Sequence, residues 1–188
     1  MSFDAKAVIR LAREAGAEIM KIYAQDFTVE HKDDKSPLTA ADLAAQHPHA
    51  FEWAASIHPY APDALDRLDA AKARRARAVK WLPSAMGIDP AAKKCDEFYA
   101  AMAELNLPLI THAGHEAAVD VGAGQAFGNP LLLRRALDHG VRVVVAHCAT
   151  LGKDRDIDKS PNGPWVDSLQ LFDRLMHEPA YEKLLFGD

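Results

Sequence analysis

From Phe51 onward the sequence alternates short apolar runs with helix-patterned stretches of about 10 to 15 residues, the grammar of parallel βα units. Five apolar runs read as strands: Glu52 to Ile57, Ala78 to Leu82, Leu107 to Thr111, Val141 to Ala146 and Lys183 to Phe186. The stretches between them carry helix punctuation. Pro62-Asp63 opens one helix, and Asp96 to Leu105 places Phe98, Tyr99, Met102 and Leu105 on one side of another. Asn129-Pro130 supplies an N-cap followed by proline at the first helical position, and Gly140 closes that helix. Leu151 to Trp165, rich in Gly, Asp, Pro and Asn, reads as a long surface loop, a kind of segment that often carries function in βα proteins.

The opening segment follows a different pattern. Val8, Ala12, Ala15, Ile19 and Ile22 recur at four- and three-residue steps, which predicts an amphipathic helix over about 4 to 24. Phe27 to His31 suits a short strand, Lys32 to Pro37 a turn, and Thr39-Ala40-Ala41-Asp42 a capping box that starts another helix. The expected architecture is therefore α/β, about five parallel strands in βα units behind a helix–strand–helix extension. The domain boundary falls between residues 1–45 and 46–188.

A chain of 188 residues, 49% hydrophobic, holds enough apolar surface for a core. Its net charge of −5, with both signs interspersed, offers no extended positive face to a phosphate backbone. Nucleic acid is thereby disfavoured as a partner, and a small-molecule substrate is expected. Charged residues interrupt the N-terminal segment, and no apolar run approaches the roughly 18 residues that span a bilayer, so neither secretion nor a membrane partner is expected. With only Cys95 and Cys148, and Cys148 placed just after an apolar run, a reduced buried thiol and a cytoplasmic setting are expected.

Parallel βα folds place their ligands at the carboxyl ends of the strands. Leu109-Ile110-Thr111 runs into His112, and Val143-Val144-Val145-Ala146 runs into His147. Adjacent strands lie about 4.8 Å apart, so imidazoles at matching ends reach one ion at Zn–N distances of about 2.1 Å. His112 and His147 are the expected metal ligands. Lys80 lies inside a strand, where a charge needs a reason; it points into the mouth of a site or marks an edge strand. His115-Glu116 reads either as a further ligand or base or as an exposed loop pair. His58 and Tyr60 follow a strand on the ligand-binding face and are expected to line a substrate pocket. His47-Pro48-His49 has the spacing of a metal pair, but it precedes its strand and therefore lies at the opposite face.

The ordered set Ser56-Ile57-His58-Pro59-Tyr60, Val79-Lys80-Trp81-Leu82-Pro83, Thr111-His112-Ala113-Gly114, Val145-Ala146-His147-Cys148 and Leu185-Phe186-Gly187-Asp188 resembles amidohydrolase-related metal-dependent hydrolases. The resemblance implies a TIM-type barrel that holds one or two divalent ions, zinc above all, to activate water. It matches His112 to the histidine of the fifth strand and His147 to that of the sixth. Lys80 falls where some members carry a carboxylated lysine, and Lys80 and His115 are the neighbours expected to complete the catalytic site. Asp188 ends what reads as the seventh strand and receives no family role. Residues 1–45 resemble instead the bisphosphate-nucleotidase branch of the inositol-monophosphatase family, through Leu11-Ala12-Arg13-Glu14-Ala15-Gly16 and Lys32-Asp33-Asp34-Lys35-Ser36-Pro37-Leu38-Thr39. That family's downstream acidic motifs are missing from the sequence.

A complete barrel takes about 250 residues and eight strands, so the sequence predicts an incomplete TIM-type barrel with two open edges and an uncovered inner face. Self-association follows from such edges. Two functions are expected from this reading: a truncated metal-dependent hydrolase with weak metal binding, or a chimeric α/β scaffold without catalysis. A fragment of a phosphatase is a third.

Overall fold

The computed structural model describes residues 52–188. The helix expected over 4–24, the strand at Phe27 to His31, the capping box at Thr39 to Asp42 and His47-Pro48-His49 lie outside the described residues.

In chain order the elements are β1 (Ala54–Ala55), α1 (Ala64–Ala73), β2 (Ala78–Trp81), α2 (Pro83–Met86), α3 (Asp96–Glu104), β3 (Leu109–His112), α4 (Arg134–Asp138) and β4 (Val143–Ala146). They continue with β5 (Lys153–Arg155), β6 (Trp165–Asp167), α5 (Ser168–Met176) and β7 (Leu185–Gly187). One five-stranded sheet, entirely parallel, runs β1-β2-β3-β4-β7. It is open, an incomplete α/β barrel of the TIM type, as the βα rhythm predicts. Strand β1 is shorter than expected. Beyond Ala55 the backbone turns to another partner, and the Ile57 carbonyl accepts from Trp81 Nε1 at 2.8 Å.

The register sorts the sheet's side chains into two faces, because successive residues of a strand point to opposite sides. Val79, Leu109, Val143 and Leu185 pair in one row and are almost fully buried. They share a single core with Leu68 of α1, Phe98, Tyr99 and Met102 of α3, Leu137 of α4 and Leu171 and Leu175 of α5. Trp81 belongs to the same face and packs on the rings of Phe98 and Tyr99, with centroids 5.5 and 5.8 Å away. The next row, Lys80, Ile110, Val144 and Phe186, lies on the opposite face. Its members are half-buried except Phe186, which is 45% exposed. This is the inner face of the partial barrel.

The helix ends follow from local chemistry, and the caps expected at Asn129 and Gly140 act where they stand. Asp96 and Glu97 occupy the first turn of α3, where the helix dipole favours negative charge. Asn129 accepts from the Leu131 amide and starts a 3-10 turn, Pro130–Leu133, that leads into α4. Gly140, at φ 78°, returns its amide to the Leu137 carbonyl.

The stretch from Leu151 to Trp165 is not the irregular loop that its composition suggests. Strands β5 and β6 pair antiparallel across it and pass directly into α5. The turn-forming residues fall between the two strands, and an ionic network holds the result. Arg174 of α5 takes Asp156 through two hydrogen bonds of 2.8 and 2.6 Å and Asp158 through a third of 2.8 Å. Arg134 of α4 donates to both oxygens of Asp158 at 2.7 and 2.9 Å and also binds Glu178. The aspartates of this segment are thus the anchor points of a folded hairpin. Arg174 holds the Asp156 carboxyl below the usual carboxylate range, and Arg134 does the same for Asp158.

A carboxyl group with a depressed folded-state pKa stabilises the fold above its unfolded value and loses that contribution as pH falls through the folded value. Acidification below about pH 4 is therefore expected to raise hydrogen exchange at amides 153–167 before the β2–β4 amides respond. Mass-spectrometric exchange across a pH series, corrected for intrinsic rates, checks this; uniform loss of protection would contradict it.

Candidate active site

Strands β3 and β4 bring the two expected imidazoles together. His112 pairs with Ala146, so His147 leaves the sheet one residue beyond its neighbour's end. The two rings stand edge to face, with centroids 6.0 Å apart. His112 is 14% exposed, and its Nε2 is buried with no hydrogen-bond partner among the described residues. Such an orphaned atom needs an explanation in a folded protein. The closest charge is the Glu116 carboxylate at 3.8 Å, beyond hydrogen-bond range.

His147 begins a strained turn. His147, Cys148 and Ala149 have φ values of 59°, 49° and 51°, left-handed for three residues in succession, and the Thr150 amide closes the turn on the His147 carbonyl at 3.0 Å. Each such residue costs about 1–3 kcal/mol and persists only where its surroundings enforce it. Asp188 supplies that enforcement. Its carboxylate accepts from the His147 amide at 2.7 Å, its carbonyl accepts from Cys148 Sγ at 3.3 Å, and its amide donates to the Val145 carbonyl at 3.2 Å. Gly187 beside it leaves room for that thiol, since a Cβ there would lie 2.6 Å from Cys148 Sγ. Both cysteines are free, but Cys148 is only half-buried, not the buried thiol expected; the left-handed turn lifts it out of the core.

The loop after β3 sorts His115 and Glu116 to opposite sides. Gly114, at φ 83°, makes a turn so tight that a Cβ would lie 2.6 Å from the Leu151 carbonyl. The His115 amide then bonds that carbonyl at 2.7 Å. The exposed His115 side chain touches Gln125 and feels the charge of Asp154. Glu116, the next residue, is buried and turns toward His112. Asp154 is buried as well. Burial pushes its carboxyl upward, opposed by the Ser168 hydroxyl, which donates to Oδ2 at 2.7 Å.

Lys80 stands on the same face as His112, one row farther from the strand ends. Burial pushes its ammonium pKa down, while the charges of Asp188 and Glu116 work against that shift. His58 and Tyr60 are held elsewhere. His58 spans the Met86 carbonyl through Nε2 at 3.0 Å and the Tyr60 amide through Nδ1 at 3.2 Å, which ties the loop after β1 to α2. The Tyr60 hydroxyl is bonded to the Asp89 backbone, and burial pushes its pKa up to about 12. Tyr60 lines a separate open cavity of about 580 Å³ with Lys93, Lys94, Asp96 and Glu97. Its ring and that of His58 stand edge to face, with centroids 5.0 Å apart.

The family model described as "Amidohydrolase" matches residues 5–178. The chain belongs to the amidohydrolase family. That match includes most of residues 1–45, and the comparisons lend no support to a bisphosphate-nucleotidase origin for that segment. No curated protein matches the sequence. Among solved structures, the chain is similar to a probable 2-pyrone-4,6-dicarboxylic acid hydrolase from Acinetobacter baumannii, crystallised with citric acid bound. The identity is 17% and the TM-score 0.52, over 78% of this chain and 46% of that one. The IDCase of Metarhizium anisopliae, in apo form, is matched at 18% identity and TM-score 0.46, over 58% of this chain and 35% of that one. The first likeness is one of fold, and this chain spans less than half the length of either protein.

Members of the amidohydrolase family usually bind divalent metals. The donors here fit such an ion in kind, with two imidazoles facing one another and one buried nitrogen unpartnered. They do not fit it in number. No group of three His, Cys, Asp or Glu side chains among the described residues is arranged to hold a metal, whereas a catalytic zinc takes about three protein ligands. Among the described residues, no helix is long and apolar enough to cross a membrane.

Two residues that position this site, Asp188 and Gly114, carried no role in the sequence reading. A glycine two residues beyond a strand-end histidine was the available signal for a tight turn. Gly114→Ala is expected to destabilise the fold by about 1–3 kcal/mol from backbone strain, with the Leu151 clash adding to it. Gly140→Ala, at a similar φ but with open space around it, is expected to cost less. Urea titrations of both variants followed by circular dichroism check the order.

Proposed function

We propose that the chain carries a hydrolytic site of the amidohydrolase type, centred on His112 and His147, that acts on a small-molecule substrate. The observation that supports this most is the pair itself: two imidazoles from neighbouring strands, their rings 6.0 Å apart, at the carboxyl rim where βα folds bind ligands. Family membership supports the hydrolase class. His112 and His147 would hold a divalent ion, zinc by donor type. Such an ion, when bound, polarises a carbonyl or lowers the pKa of water.

The remaining residues prepare the site. Asp188 fixes the His147 backbone, and so the direction from which its ring approaches. Glu116, buried beside His112, is placed to take or return a proton. Lys80 adds a positive charge on the inner face, where negative charge develops during attack on a carbonyl. The role that the sequence offered to His115 passes to Glu116 in this reading, because Glu116 is the member of the pair that faces His112.

The second reading, a non-catalytic α/β scaffold, draws on the want of a third protein ligand among the described residues. Zinc separates the two. Elemental analysis and titration calorimetry on the purified chain are expected to show one zinc per chain, bound weakly and released by the double substitution His112→Ala, His147→Ala with the far-ultraviolet circular dichroism unchanged. Absence of zinc binding by the folded chain, or binding that survives the double substitution, would reject the metal-dependent reading.

A further inference from the structure

The inner-face row Lys80, Ile110, Val144 and Phe186 has a composition of which the hydrolase reading uses only the Lys80 charge. It holds one amine beside three apolar side chains in register across four strands. Lys80 is half-buried and makes no hydrogen bond or close ion pair with any described residue. An amine kept from water without a partner is destabilised as a cation and becomes available as a nucleophile. Its nearest electrostatic neighbours, Asp188 and Glu116, are both acidic. They disfavour an anionic ligand at this point, and the three apolar neighbours disfavour a strongly hydrated one.

We propose that Lys80 captures an uncharged aldehyde or ketone as a reversible imine, with the apolar body of that molecule lying on Ile110, Val144 and Phe186. The Nζ lone pair attacks the carbonyl carbon, so that a carbon–nitrogen bond forms as the carbonyl π bond opens. The carbinolamine then loses its carbon–oxygen bond. Both hydrogens of the neutral amine leave with that oxygen as water, and a carbon–nitrogen double bond remains. Nothing is oxidised or reduced. Dehydration requires a proton at the departing oxygen, and solvent relays it there from the nitrogen, since the inner face is only half-buried at Lys80. This capture goes beyond the hydrolase reading and does not depend on a metal.

The test uses the whole chain, butanal as the carbonyl probe, and sodium cyanoborohydride, which reduces an imine to a stable secondary amine. Peptide mapping by mass spectrometry over time is expected to show Lys80 alkylated severalfold faster than the exposed Lys93, Lys94 and Lys153, because half-burial beside apolar side chains favours the neutral amine. The preference is expected to vanish in urea-denatured protein. Lys80→Arg, which keeps the charge, is expected to lose that adduct and leave the others unchanged. Lys80 left unmodified, or modified no faster than the exposed lysines, overturns the proposal. Zinc uptake by the same variant reports on the hydrolase reading alone, so either proposal can fail without the other.

Discussion

The in-register pairing of β3 with β4 is the constraint on which the rest of this molecule depends. It aligns Leu109 with Val143 on the helix-covered face and His112 with Ala146 at the rim, so one set of backbone hydrogen bonds fixes both the core and the imidazole pair. A parallel ladder buried on one side has little freedom to shift, since a one-residue slip would turn a strand's apolar set outward. The imidazole pair is precise because the hydrophobic row behind it is.

Much of the fold was legible from the sequence because it is written in local patterns. Every expected strand of the βα region exists, and the caps at Asn129 and Gly140 act where they stand. What could not be read is what depends on long-range partners. The aspartates at 156 and 158 look like loop residues until Arg134 and Arg174 arrive from two helices to bind them. Helix α5, whose residues Leu171, Phe172 and Leu175 are buried, follows the hairpin without a linker and has no side-chain cap to mark its start.

The site shows the same division. That His112 and His147 would meet followed from strand ends alone. Which of His115 and Glu116 would join them did not, since the choice turns on the left-handed Gly114 and on its contact with the Leu151 carbonyl, across a separation of 37 residues. Asp188 matches no family position by sequence, yet its backbone and side chain enclose the strained turn at His147. The paired imidazoles announce themselves by residue type; the residues that aim them do not.

Lys80 also acts on the arrangement of the sheet itself. Its neighbour Trp81 is fully buried against Phe98 and Tyr99. If β2 shifted by one position against β3, the ammonium would enter that aromatic layer and the indole would turn to the inner face. Half-burial makes that cost modest in the native alignment, and full burial of the charge makes it far greater in the misaligned one. A residue that looks like a flaw in an apolar strand thereby serves as the key that lets β2 dock in only one alignment.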